Sequence, residues 1–308
     1  MNYLRISLIL LASIGLIACG GGPQESTTAE EETPKADYPA ARSVKLAEIG
    51  LASPESIIGD GEFYYVSNVG KELKPSEKDG DGFIMKLDVE GNVVTEKLVE
   101  GLDAPKGSAI VNGVIYVADI DKVKGFNLSD GSPAGELDMS ETGTVFLNDI
   151  VKKDDQSLYV SATDISAIYI VSLGAEMSYE KLEYSPNVNG PNGLYLKGNK
   201  LYVTGYNGAN TGKLGEITLT SAGNTYKDVN NFQGALDGLQ EVGGSFFYSD
   251  WSRGVIAMQA PGAASVGAFP ISDVQIQGPA DFFYDAARNE FWVPAMQENV
   301  IYIKSLHQ

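Results

Sequence analysis

The sequence is poor in the two side chains that most often do chemistry near neutral pH. It has one Cys and one His in 308 residues. A single Cys excludes a disulfide framework and a cysteine-based metal cluster. The one His is His307, close to the C-terminal end of the sequence, so a histidine base or a histidine-ligated metal has almost no material to draw on. Basic residues are scarce as well, 22 Lys and Arg against 41 Asp and Glu. The excess belongs to the body of the chain, because residues 41–308 hold 20 basic and 36 acidic side chains. Such a surface repels DNA and RNA, whose binding needs Lys and Arg to replace counterions. Sustained helical periodicity is missing too. What the chain does have is 43% hydrophobic residues, enough for a large core, and 35 Gly, as many tight turns require.

The first forty residues read as an address and a tether. Arg5 gives a positive start, and Ile6 to Ala18 is almost wholly apolar. That run is short for a spanning helix and suits the hydrophobic region of a signal peptide, assigned to 1–18. It ends Leu16-Ile17-Ala18-Cys19, which resembles the bacterial lipobox. The resemblance implies cleavage before Cys19 and its lipidation, attaching the protein to a membrane by lipid only. Gly20, where an Asp would retain many lipoproteins in the inner membrane, points by the same resemblance to the periplasmic face of the outer membrane. Residues 19–40 continue as a Gly-, Glu-, Thr- and Pro-rich tether.

From residue 41 onward the sequence repeats. An aromatic, Val-like, small-residue motif recurs at Tyr65-Val66-Ser67, Tyr116-Val117-Ala118, Tyr159-Val160-Ser161, Tyr202-Val203-Thr204, Phe247-Tyr248-Ser249 and Trp292-Val293-Pro294. The spacings are 51, 43, 43, 45 and 45. A second motif precedes each copy by 10 to 12 residues, centred on Glu55, Lys106, Asn148, Asn192, Asp237 and Ala280. Short β-branched and aromatic runs between Gly, Asn and Asp turns give four strands per repeat, which predicts an all-β, six-bladed β-propeller filling 41–308. Two sandwiches would leave the six-fold period unexplained. The last repeat is one strand short, and Ser43 to Ile49 has no partner beside the first. The expectation is that this segment closes the ring as the outer strand of blade six.

Equivalent positions at the starts of the innermost strands meet around a propeller's axis. Five of the six second-motif residues are polar. Glu55, Asn148, Asn192 and Asp237 together offer two carboxylates and two carboxamide oxygens, a hard donor set suited to one divalent cation of the calcium type. Without a cation the carboxylates would repel or hold a proton. The absence of His and Cys disfavours zinc and copper. Lys106 is the odd member. At about 4 Å from a cation its charge would cost on the order of 4 kcal/mol at an effective dielectric of 20. It is therefore expected to turn away from an ion and bind an anionic ligand group, or to pair with Glu55 or Asp237 if no ion is held.

The motifs Pro54-Glu55, Leu147-Asn148-Asp149-Ile150-Val151, Pro191-Asn192-Gly193-Leu194 and Leu236-Asp237-Gly238 resemble those of the gluconolactonase and senescence-marker-protein (regucalcin-like) family of six-bladed propellers, kin to paraoxonases and strictosidine synthase. The resemblance implies that Glu55, Asn192 and Asp237 bind the cation, that Asn148 contacts cation or substrate, and that Asp237 is the base in hydrolysis of lactones or small esters. In the paraoxonase branch a His stands where this chain has Lys106. In the sugar-lactone branch an Arg stands where it has Phe146, which takes support from a polyol substrate.

Asp119, Asp164, Tyr206, Trp251 and Gln297 follow second strands and are placed near the same mouth. The run Gly208 to Leu214 is read as a hairpin loop rather than a phosphate loop, and no G-x-S-x-G elbow is present. Two classes of function stand side by side: a metal-dependent hydrolase acting on a small neutral or anionic molecule, and a non-catalytic envelope propeller that binds a ligand or a protein partner.

Overall fold

Each repeat forms a blade because its inner strands are apolar enough to be buried on both faces while its outer strand stays largely exposed, and because its strands are joined by turns that demand particular backbones. Asn112-Gly113 shows the second point. It joins Pro105–Val111 to Val114–Asp119 with φ of 52° and 78°, the pair of positive values that a two-residue hairpin of right-handed twist requires. The computed structural model describes residues 41–306. Six antiparallel sheets succeed one another along the chain, making a six-bladed β-propeller of four-stranded blades. Among the described residues the single helical turn is Ser140–Thr142. The assignments made for 1–18, for Cys19 and the tether to residue 40, and for His307 lie outside the described residues.

The innermost strands are Pro54–Gly59, Pro105–Val111, Leu147–Asp154, Pro191–Lys197, Leu236–Val242 and Phe283–Asp285. The recurring aromatic motif falls in the second strand of each blade, from Tyr64–Asn68 to Glu290–Ala295. The fourth blade carries one addition, the two-residue strand Tyr184–Ser185, which runs parallel to Asn224–Asp228 at its outer edge.

Ring closure follows the expectation, over a shorter length. Ser43–Leu46 pairs antiparallel with Val300–Ser305, in the register Ser43↔Lys304 to Leu46↔Ile301. The strand stops before Ile49 because Glu48 takes a left-handed φ of 59°. Arg42 reinforces the joint. Its guanidinium lies 3.2 Å from the buried Glu290 carboxylate and over the Trp292 ring.

The core is divided into wedges between neighbouring blades. One joins Ile57, Val66 and Met85 of blade one to Trp292, Ile301 and Ile303 of blade six, with Tyr64 stacked on Trp292. Equivalent wedges lie between the other pairs of blades. Burying apolar area on both faces of every blade fixes the blades' rotation about the axis, and so fixes which residues meet there.

Candidate functional site

The six second-motif residues do meet at the axis, and a backbone irregularity aims them there. Pro54 pairs with Asn68 but Ser56 with Ser67, so Glu55 bulges from the ladder. The same shift occurs between Pro105 and Ser108, Leu147 and Ile150, Pro191 and Leu194, and Leu236 and Leu239. In blade six it lies between the bridge Pro279↔Ala295 and the pair Phe283↔Trp292. A bulge adds a residue on one strand and redirects its side chain. Repeated six times, it turns one side chain per blade into the channel.

A cavity of about 280 Å³ opens over this ring. Its floor is Glu55, Lys106, Asn148, Asn192 and Asp237, all buried. Its collar is Leu73, Pro75, Phe146, Tyr206, Trp251 and Met296. Ala280, the apolar sixth position, packs instead with Val69, Ala104, Ile120 and Met296. The five polar positions expected at the axis are therefore brought together around one cavity. Tyr206 and Trp251 reach the mouth as expected. Asp119 and Asp164 are used in holding local structure: Asp119 accepts the Asp103 and Ala104 N–H groups and the Lys124 ammonium, and Asp164 accepts the Thr144 hydroxyl and the Val145 N–H. Gln297 is exposed and is not part of the cavity wall.

The floor has an unusual hydrogen-bond balance. Glu55 Oε2, Asn148 Oδ1, Asn192 Oδ1 and Asp237 Oδ1 are buried and have no hydrogen-bond partner in the protein. A buried polar atom left unpaired costs about 1–3 kcal/mol, so four converging on one cavity call for an outside partner. Burial raises the Asp237 carboxyl to about 7, with the nearby Asp149 charge adding to the effect and Asn192 and Lys106 opposing it. Glu55 is pushed well above the carboxylate range by burial and then by Asp237 and Asp281. A divalent cation fits this donor set: two carboxylates match its charge, two carboxamides add neutral oxygens, and coordination positions are left over for water or a ligand. Among the described residues no group of three or more His, Cys, Asp and Glu has a metal-holding arrangement. The set reaches four oxygens only by counting the two Asn.

Lys106 makes its close contacts elsewhere than with the carboxylates. Its Nζ donates to the Ala104 carbonyl at 3.1 Å and lies 4.5 Å from the centre of the Phe146 ring. Among the described residues no ion pair joins it to Glu55 or Asp237, so the pairing considered for an ion-free site does not form. The Phe146 face offers the charge a partner that competes with no cation. Burial lowers the ammonium to about 8, against the pull of Glu55, Asp119, Asp164 and Asp237.

A second ring, one residue further along, escaped the sequence reading. It consists of Ser56, Gly107, Asp149, Gly193, Gly238 and Asp281. Asp149 accepts the N–H groups of Ile150 at 2.7 Å and Leu194 at 2.6 Å, and Asp281 accepts the Ser56 hydroxyl at 2.8 Å. Two of the glycines make room for these carboxylates: a Cβ on Gly107 would stand 2.4 Å from the Asp149 Oδ1, and one on Gly238 2.8 Å from the Asp281 Oδ1. The recurrence of a carboxylate or a glycine after the second-motif position, in five of the six repeats, was the available signal.

Against this geometry the chain can be set beside known proteins. No family model matches it, and no curated protein is similar to it in sequence. Solved structures do match. A catalytically inactive histidine-to-alanine variant of virginiamycin B lyase from Staphylococcus aureus, with quinupristin, is 16% identical over 86% of this chain and 99% of its own, with a TM-score of 0.55. A streptogramin B lyase is 13% identical over 86% and 97%, with a TM-score of 0.57. An auxiliary nutrient binding protein from Bacteroides thetaiotaomicron is 12% identical over 82% of this chain and 69% of its own, with a TM-score of 0.62. These neighbours share the fold. At such identities the likeness carries the architecture alone, and membership of the gluconolactonase family is not among the findings.

Proposed function

We propose that the chain is a calcium-type, divalent-cation-dependent hydrolase of lactones or small esters, working in the axial cavity. The observation that supports it is the set of four unpartnered buried oxygens on Glu55, Asn148, Asn192 and Asp237, all lining one cavity. These four would hold the cation. When bound, it supplies a positive centre that polarises a carbonyl and stabilises negative charge developing on the carbonyl oxygen.

The chain's own residues do the rest. Asp237 is assigned the base: its ionised carboxylate would take a proton from a water and return it to the leaving oxygen. Asn148 orients the substrate through its carboxamide. Lys106, buried beside Phe146, presents a positive charge to an anionic substituent. The collar of Phe146, Tyr206 and Trp251 limits water and favours a ligand with an apolar body. A lyase and a nutrient-binding protein among the solved neighbours support a cavity that handles small molecules. The protein is proposed to sit in the bacterial envelope, anchored through lipid on Cys19 at the periplasmic face of the outer membrane.

Calorimetry with calcium, magnesium and manganese tests the reading, alongside the Asp237→Ala variant and a panel of lactones and esters. One ion bound per chain, lost in the variant together with turnover, is the expected result. Ion binding without turnover on any member of the panel would favour a ligand-binding propeller, and no ion binding would overturn the proposal.

A further inference from the structure

One connection is longer than all the others. The second and third strands are joined by 120–121 in blade two, 163–166 in blade three, 206–213 in blade four, 251–254 in blade five and 296–299 in blade six. In blade one the joining segment is 69–81, between Tyr64–Asn68 and Gly82–Leu87, and it accounts for the long first spacing in the sequence. This segment folds over the axial cavity, where Leu73 and Pro75 form part of the wall. Leu73 is also among the few large apolar side chains left exposed, at 36%.

The two ends of the segment are fixed. Val69 and Gly70 N–H groups donate to the Ser53 and Ala52 carbonyls, both at 3.1 Å. The Lys71 N–H donates to Asp81 Oδ2 at 3.0 Å, which ties the stem together. Gly70, at a φ of 142°, leaves room for the Asp81 carboxylate where any Cβ would collide with it. Between the ends, Lys74 pairs only within the segment, with Glu72 and Glu77. The ion pair that reaches another blade is Lys78 to Asp121, 2.5 Å across to blade two. Asp121 is buried, whereas Lys78 is half exposed.

We propose that 70–81 is the specificity-determining roof of the axial site. Leu73 and Pro75 bear on the apolar body of a flat or slender amphipathic ligand, opposite Phe146, Tyr206 and Trp251. The ligand's carbonyl or anionic head lies on the floor beside Lys106, and the Lys78–Asp121 pair sets how closely the roof is held down. The proposal rests on the reading of the floor as the reactive end. It deepens that reading by assigning the ligand class: an aromatic or alicyclic carboxylate or ester rather than a sugar. Apolar walls exclude polyols because hydroxyls placed against them lose their water without replacement.

The test uses Trp251 as reporter. The chain has two Trp, and Trp292 is fully buried in the wedge between blades six and one, so quenching by neutral acrylamide reads Trp251 in the cavity wall. The probe ligand is 8-anilinonaphthalene-1-sulfonate, an aromatic anion. Lys78→Ala should raise the acrylamide quenching constant about twofold or more. Leu73→Ala should weaken binding of the dye about fivefold, with calcium binding at the floor unchanged. Lys213→Ala removes a comparable exposed pair, with Asp228, and should change neither reading. Quenching and dye affinity equal to those of the parent chain in both roof variants would overturn the proposal. Neither measurement needs a cation, so failure of the parent to bind calcium would count against the hydrolase and leave the roof test readable.

Discussion

Two rings of side chains surround the same axis one residue apart, and each holds a pair of carboxylates. In the upper ring Glu55 and Asp237, with Asn148 and Asn192, each keep one oxygen without a protein partner. In the lower ring Asp149 and Asp281 spend their oxygens on the Ile150 and Leu194 amides and the Ser56 hydroxyl. Equal charge therefore serves different ends. The lower pair stitches neighbouring blades together, from Asp149 to Leu194 and from Asp281 to Ser56. The upper pair is left with bonding capacity that only something from outside the chain can use.

The sharpest way to break this contrast is to delete one carboxylate from each ring. Asp237→Ala should abolish stoichiometric calcium binding and lower turnover at least about 100-fold, the scale set by loss of a metal ligand or base, as read by calorimetry and initial rates. Asp149→Ala should act on folding instead, leaving the Ile150 and Leu194 amides bare at a cost of about 2 kcal/mol. Urea unfolding would show this as an earlier midpoint with unchanged slope. If Asp149→Ala lost the ion and kept its stability, the two rings would not differ as described.

Acidity gives a third comparison. Asp237 titrates near 7 in the folded protein, above its ordinary value of 3.8, so the folded state holds a proton there that the unfolded chain has lost. Stability of the ion-free protein should accordingly fall as pH rises from about 4 to about 7. Calcium needs the ionised form, so its affinity should drop at least about tenfold per pH unit below 7. Thermal unfolding with and without calcium at pH 5, 6 and 7.5 reads both signs, and saturating calcium at pH 7.5 should abolish the loss. The smallest expected effect belongs to Lys106→Met, which should weaken acidic ligands several-fold, on the scale of one partly buried ion pair, and leave neutral ones alone. Equal loss for both would remove Lys106 from recognition.

The six-fold period, the closing strand and the axial position of Glu55, Asn148, Asn192 and Asp237 could all be read from the sequence, because each is carried by a local motif repeated at near-constant spacing. The direction of Lys106 could not. It depends on Phe146, from the neighbouring blade, offering its ring face. The bonding of Asp149 and Asp281 was equally hidden, since their partners lie on adjoining blades and only the packed ring brings them within reach. The 51-residue spacing announced an insertion in blade one, but nothing local says that Leu73 and Pro75 fold inward over the channel.

The closing strand also sets an order of events in time. Arg42 bonds to Ser305, 263 positions away, so the sixth blade cannot be completed until the last-made strand meets the first. Until then Val300–Ser305 has an unpaired edge, and the wedge that holds Trp292 lacks its far wall. Contacts of such long range close slowly. The growing chain must therefore keep one open flank, able to pair with a neighbouring copy, until that strand is in place.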